Sequence, residues 1–298
     1  MEEKQMTTNE QLEAELQSLR SKATVAKILT YGSGAAAILC FITGLIPVAI
    51  VFIVLALVGG YQLEKNSSKL KKILSDDVIS SVLKEALGDA VEYNPWGKIN
   101  PGSMVFPFSY NCAGGSDHIK AAYNGLNIEL GDIELIEETE VTDEEGRTET
   151  TKNTQFKGQW FTCDFGKELV GEVYISERTK KTRRSLKSNV TMDNEQFGKN
   201  FCVRADDPQE AYYVLTPHMM EYIISIADKS GGTVYMSFLR DGKLHVAVQT
   251  GRDFFELGKN NANVKELRQK FLGELRWFTD IVDTLRVEDT LYKKEENI

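Results

Sequence analysis

ILTYGSGAAAILCFITGLIPVAIVFIVLALVGGYQL, running from Ile28 to Leu63, contains no charged residue and is bracketed by Lys27 and Glu64. As one helix it would be about 54 Å long, well beyond a hydrocarbon core of about 30 Å. Its middle reads Gly44-Leu45-Ile46-Pro47. Pro47 has no amide hydrogen and clashes with a preceding turn, so it favours the start of a new helix, and Gly44 suits the end of the previous one. The stretch is read as a membrane hairpin of two helices, 23–43 and 47–63, with a re-entrant hairpin as the alternative. A buried hairpin inside a globular core needs no uncharged run this long. The apolar run starts too late and lasts too long for a cleaved signal, and Leu39 before Cys40 is too bulky for a lipoprotein cleavage site.

Basic residues set the expected orientation. Arg20, Lys22 and Lys27 precede the run, Lys65, Lys69, Lys71 and Lys72 follow it, and the turn has none. Both ends are therefore expected on the cytoplasmic side, placing the chain as a two-span membrane protein with its larger part in the cytoplasm. Small residues at Gly32, Gly34, Ala35, Ala36, Ala37, Gly59 and Gly60 suit close helix packing, within the hairpin or between copies of it.

Working outward, residues 1–22 carry an amphipathic helix with Leu12, Leu16 and Leu19 at helical spacing, and 65–91 a connecting helix stopped at Gly88. From 92 to 290 the pattern is that of a cytoplasmic α+β domain, and 291–298 is a tail. Strand-like runs fall at 104–110, 118–123, 127–141, 148–165, 172–176, 201–204, 233–239 and 243–250. Asp143-Glu144-Glu145-Gly146 and Asp241-Gly242 are read as turns. Thr216-Pro217 opens one helix. Val264, Leu267, Phe271, Leu275, Phe278, Val282 and Leu285 stripe a last one, expected to pack on the sheet. The fold class is α+β: a transmembrane helical hairpin, then a mainly antiparallel β domain with packing helices. The sheet is expected to be curved or an open barrel, pleckstrin-like in pattern only.

The soluble part resembles the bacterial membrane-associated domain of unknown function known as DUF3137. The resemblance rests on Tyr93-Asn94-Pro95, Gly115-Ser116-Asp117-His118-Ile119, Phe156-Lys157-Gly158-Gln159-Trp160-Phe161 and Cys163-Asp164-Phe165-Gly166-Lys167. It continues through Phe197 to Phe201, Asp206-Asp207-Pro208-Gln209-Glu210-Ala211 and Leu215-Thr216-Pro217 with Met219, Met220 and Glu221. It covers roughly 65–260. Members similarly carry paired hydrophobic spans before the domain, but the resemblance implies no activity and no site residue.

The chemistry read from the residues is sparse. The net charge is −9 with a pI near 5.1, which disfavours a nucleic-acid binder. Cys40, Cys112, Cys163 and Cys202 are dispersed, without the close pairs of a zinc site, and no cofactor motif is present. Two charge blocks stand out. Residues 137–149 are rich in acids with a single Arg, read as a solvated hairpin tip. Arg178, Lys180, Lys181, Arg183, Arg184 and Lys187 form a basic cluster without acids, a candidate contact for anionic lipid or a partner. The functional expectation is a non-enzymatic protein- or lipid-binding scaffold tethered to the bilayer, with another protein as partner and self-association through the hairpin possible. The alternative is a membrane-bound enzyme whose site is assembled from dispersed residues such as Asp117, His118, Cys163 and Asp164.

Overall fold

The computed structural model describes residues 2–73, 78–142, 148–164, 169–255 and 264–293. The expected turn at 143–146, residues 165–167 of the resemblance and most of the tail lie outside the described residues, as does the side chain of Leu285. The chain divides into two compact units, described separately.

The first unit is built on two antiparallel helices, α1 (Glu2–Ile42) and α2 (Ile46–Ile73). The leading amphipathic segment and the first apolar segment thus form one continuous helix, and α2 runs on past the apolar stretch into the basic one. The turn between them follows from its residues. Gly44 has φ +77°, open to glycine without strain, and the Leu45 amide donates to the Cys40 carbonyl at 2.9 Å, closing α1. Pro47 sits in the first turn of α2, one residue later than the helix start, where its missing N–H costs nothing.

The less exposed positions of α1 include Leu16, Leu19, Ala23, Ala26, Thr30, Ser33, Ala37 and Cys40; those of α2 include Ala49, Phe52, Ala56, Gly59, Leu63, Asn66, Leu70 and Ile73. Both sets step by alternating threes and fours, the seam of a two-stranded coiled coil. Gly59 lies so close to α1 that an added Cβ would sit 2.7 Å from Thr30 Oγ1 and 3.3 Å from the Ala26 carbonyl oxygen. Within the apolar stretch the seam residues are mostly small; beyond it they are mostly Leu and Ile. That change matches what holds helices together in lipid (close backbone approach) and in water (burial of branched side chains).

The second unit holds one open antiparallel sheet of eight strands: β1 (Glu92–Asn94), β2 (Cys112–Tyr123), β3 (Leu126–Thr142), β4 (Thr148–Asp164), β5 (Val173–Glu177), β6 (Phe201–Ala205), β7 (Thr233–Phe238) and β8 (Lys243–Gln249). Their order is β1-β2-β3-β4-β8-β7-β5-β6. The sheet is thus open, with β1 and β6 as its edges. Short helices α4 (Glu195–Asn200) and α5 (Pro208–Val214) flank β6, and α6 (Pro217–Ser230) precedes β7. Thr216 caps α6 as expected, its Oγ1 accepting the Met219 N–H at 3.2 Å. The helix α3 (Ser80–Leu87) and the last helix, α7 (Val264–Lys293), complete the elements. In this unit α7 buries Leu275, Phe278, Ile281 and Val282. The Phe278 ring lies 5.6 Å from that of Phe161 on β4, so this part of the helix packs on the sheet.

One expected strand is absent. Residues 104–110 are not part of the sheet but of an irregular strap, 95–111, across the face opposite Phe161. Phe106 stacks 4.8 Å from Phe108 and meets Tyr235, Phe156 and Trp160 edge-on or tilted. Pro101 and Pro107 cannot donate to a ladder, and the alternating aromatics that mimic a strand here pack as a cap on the sheet.

Candidate functional site

Antiparallel register places residues that pair across strands on one face. Reading across the sheet, Lys120 pairs with Glu129, Glu129 with Thr162, Thr162 with His245, His245 with Ser237, Ser237 with Tyr174 and Tyr174 with Arg204. A polar row therefore crosses seven strands on the face that carries the strap. At one end His118 Nε2 lies 2.9 Å from Glu129 Oε2, and Lys120 Nζ lies 3.8 Å from Oε1.

At the centre His245 is buried, and its Nδ1 accepts the Trp160 indole N–H at 3.1 Å. That bond fixes the remaining ring proton on Nε2. Burial pushes the His245 pKa down to about 4, so the ring is neutral and can only donate through Nε2. Gly102 of the strap lies flat against it: an added Cβ would come within 2.6 Å of Cε1. On either side Thr162 Oγ1 and Ser237 Oγ are buried and, among the described residues, hydrogen-bond to nothing. Orphaned polar atoms are uncommon in folded interiors, and two here flank the same imidazole.

The opposite face holds a carboxylate clasp. Asp132 on β3 is 2% exposed. Both its oxygens accept the Phe254 backbone N–H at 2.8 Å, and Gln159 Nε2 approaches at 3.4 Å. Burial pushes its pKa up to about 8; the Phe254 bond opposes the shift and the nearby Asp117 adds to it. Asp117 sits at the β2 bulge with φ +55°, accepting from Tyr93 Oη and Ser116 Oγ.

The four residues weighed for catalysis do not converge. Asp117 is tied to Tyr93 and Ser116, while His118 turns to Glu129, as strand alternation predicts for neighbours. Cys163 lies on the other face from the polar row, paired with Ile128 and Leu244. Burial raises its thiol pKa, the reverse of nucleophile activation. Asp164 accepts from Asn127 Nδ2 at 2.9 Å. Among the described residues no His, Cys, Asp and Glu group has the arrangement to hold a metal.

The basic cluster divides in two. Arg178 spends its guanidinium on structure: Nε donates to the Phe201 carbonyl at 2.9 Å, Nη1 to the Leu186 carbonyl at 2.8 Å and Nη2 to Ser188 Oγ at 2.8 Å. Lys180, Lys181, Arg183, Arg184 and Lys187 are exposed. Leu186 is buried beneath them, and turns at Thr179 and Thr182 order the loop. Five cations thus project from a shaped loop pinned by the sixth. Sequence spacing finds the cluster, but not which guanidinium is spent internally.

The two long helices present the other candidate surface. Both are long and apolar enough to cross a membrane, and only 17% and 11% of their most apolar windows is buried. Ile28, Leu39, Phe41, Ile42 and Leu57 are each more than 60% exposed. Three short-chain hydroxyls there return to carbonyls of α1: Thr30 donates to Ala26, Ser33 to Leu29, and Thr43 to Leu39.

Compared with protein families, residues 154–287 match the model described as Protein of unknown function (DUF3137). No curated protein matches the chain, and no solved structure does. The matched region begins later than the resemblance read from the sequence and extends through most of α7. Tyr93-Asn94-Pro95 and the segment from Gly115 to Ile119 lie before it.

Proposed function

With residues 154–287 matched to DUF3137, a family whose description carries no activity, we propose that the chain is a membrane-anchored binding protein. The α1–α2 hairpin is its anchor, and the sheet unit presents the recognition surface at the cytoplasmic face. The observation that carries this reading is the exposed apolar surface of α1 and α2 combined with a seam of small residues between them. A water-exposed helix pair would leave Phe41, Ile42 and Leu57 to solvent, far more contiguous apolar surface than soluble monomers show. In lipid the same side chains are at no cost, and the hydroxyls of Thr30, Ser33 and Thr43, returned to carbonyls of α1, need no water.

The length of the apolar arms supports a crossing. Residues 28–42 and 46–63 give helices of about 22 and 27 Å, about 8 and 3 Å short of a hydrocarbon core of about 30 Å. Lys27 can extend its ammonium toward the interface, and small mismatches are absorbed by local thinning. Lys and Arg on both flanks favour cytoplasmic ends. The exposed cations of 180–187 then face the anionic leaflet or an acidic partner, each worth about 1 kcal/mol near such a surface.

Orientation is tested by adding protease to intact cells and to inverted vesicles carrying the full chain. Cleavage of the C-terminal unit only in inverted vesicles is expected; cleavage from outside intact cells rejects the topology. The loop is tested by hydrogen exchange of 178–187 in the reconstituted chain. Anionic lipid is expected to slow exchange there, and Arg183→Glu with Arg184→Glu to restore it. Equal exchange in neutral and anionic bilayers removes the loop from the reading.

A further inference from the structure

On one flank of the α1–α2 seam, where the apolar stretch gives way to the basic one, lies a crevice of about 830 Å³. It is bounded on α2 by residues 57, 58, 61, 62, 65, 66 and 69 and on α1 by residues 21, 22 and 25. The α2 positions repeat at helical spacing and form a single face. Its chemistry is graded along the axis: Leu57 and Val58, then Tyr61 and Gln62, then Lys65 and Lys69. At 1.5 Å per residue, Val58 and Lys65 are separated by about 10 Å, and Lys65 and Lys69 by about 6 Å. That sequence of layers, hydrocarbon then amphipathic then cationic, has the depth profile of one bilayer leaflet, whose polar zone is about 5–8 Å thick.

The α1 wall completes it. Gly59 abuts Thr30 and Ala26. Moving about six residues outward along each antiparallel arm from that contact brings Lys22 level with Lys65. Val25 lies one turn deeper, level with about Gln62, between the lysine end and the Leu57 and Val58 end. Three lysines from two helices thus line one crevice, and among the described residues no Asp or Glu lines it. Tyr61, with an apolar ring and a polar tip, stands at the boundary where such rings anchor.

We propose that this crevice binds one anionic phospholipid, with the phosphate held among Lys22, Lys65 and Lys69 and an acyl chain along Val25, Leu57 and Val58. The inference rests on the anchoring reading above and adds to it a defined lipid site. The three cations select net negative headgroups over zwitterionic ones, and the apolar wall separates a lipid from a free phosphate.

The test uses the full chain in phosphatidylcholine nanodiscs doped with spin-labelled phosphatidylglycerol or spin-labelled phosphatidylcholine. Electron paramagnetic resonance reads the motionally restricted fraction. The wild type is expected to prefer the anionic lipid by about fivefold or more, given three lysines at the headgroup. Lys22→Gln, Lys65→Gln and Lys69→Gln together bring the ratio to about one. Lys72→Gln, a position outside the crevice, leaves the wild-type ratio in place. Millimolar glycerol phosphate is expected not to compete; if it abolishes the preference, the site takes a free phosphate and the lipid assignment is overturned. Equal association of both lipids with the wild type, or a preference surviving in the triple variant, also overturns it. A chain that never enters the disc rejects the anchoring reading itself, whereas one that enters without preference rejects only this site.

Discussion

Asp132 and His245 are buried ionisable groups on opposite faces of one sheet, and their displaced pKa values act on stability in opposite pH windows. His245 titrates near 4 when folded against an unperturbed value of about 6.5. It therefore withdraws stability as pH falls below about 6.5. Asp132 is protonated in the fold up to about pH 8, while an unfolded Asp ionises near 3.9. Its contribution is full below the unfolded value and is lost as pH rises toward 8. Between pH 6.5 and 8 only Asp132 of these two acts, with a limiting slope of about 1.4 kcal/mol per pH unit. Asp132→Asn keeps an oxygen for the Phe254 N–H and cannot ionise, so it is expected to flatten the decline of thermal midpoint across that window. An unchanged slope contradicts the assignment. Gly102→Ala drives a methyl into the His245 ring and is expected to cost about 1–3 kcal/mol in denaturant unfolding; a neutral effect means the strap does not rest there.

At the scale of elements, the seam between α1 and α2 makes the sharpest demand. An added side chain at Gly59 meets Thr30, while nothing lies within 4 Å of the position at Gly32. Gly59→Leu is expected to lower the thermal midpoint of the hairpin in detergent micelles, and Gly32→Leu to leave it unchanged. Equal effects would mean the arms do not pack through this seam. A changed detergent-solubilised mass for Gly32→Leu alone would instead place a second copy on that open face. Much of this element was legible beforehand, because charge, Gly44 and Pro47 are local signals. The fusion of the leading helix with the first apolar arm was not anticipated, although no residue between Lys22 and Ile28 breaks a helix. The strap was misread for a physical reason: Met104, Phe106 and Phe108 alternate as strand residues do, and alternation records one buried side without saying whether a ladder or a sheet face buries it. The polar row was invisible in the sequence, since Thr162, His245 and Ser237 become neighbours only through register. The graded face from Leu57 to Lys69 was readable at helical spacing, but Lys22 joins it only once the arms are antiparallel.

For the whole molecule, the sequence divides at the change from uncharged to mixed composition, and the strands after residue 92 form one antiparallel sheet whose β7 and β8 are buried on both faces. Function is less legible than fold because the features that stand out in the sheet unit serve structure: Arg178 ties a loop, Asp132 clasps a backbone amide, and His245 receives an indole. The exposed features with a reading are the apolar faces of the two helices with the lysines that follow them and, in the sheet unit, the cations at 180–187. The account stands on the hairpin residing in the bilayer, and alkaline carbonate washing of native membranes reads that directly. The full chain is predicted to stay in the pellet and to leave it only with detergent, whereas a chain lacking residues 23–64 is released. Recovery of the intact full chain as a monomer in the detergent-free supernatant would contradict it.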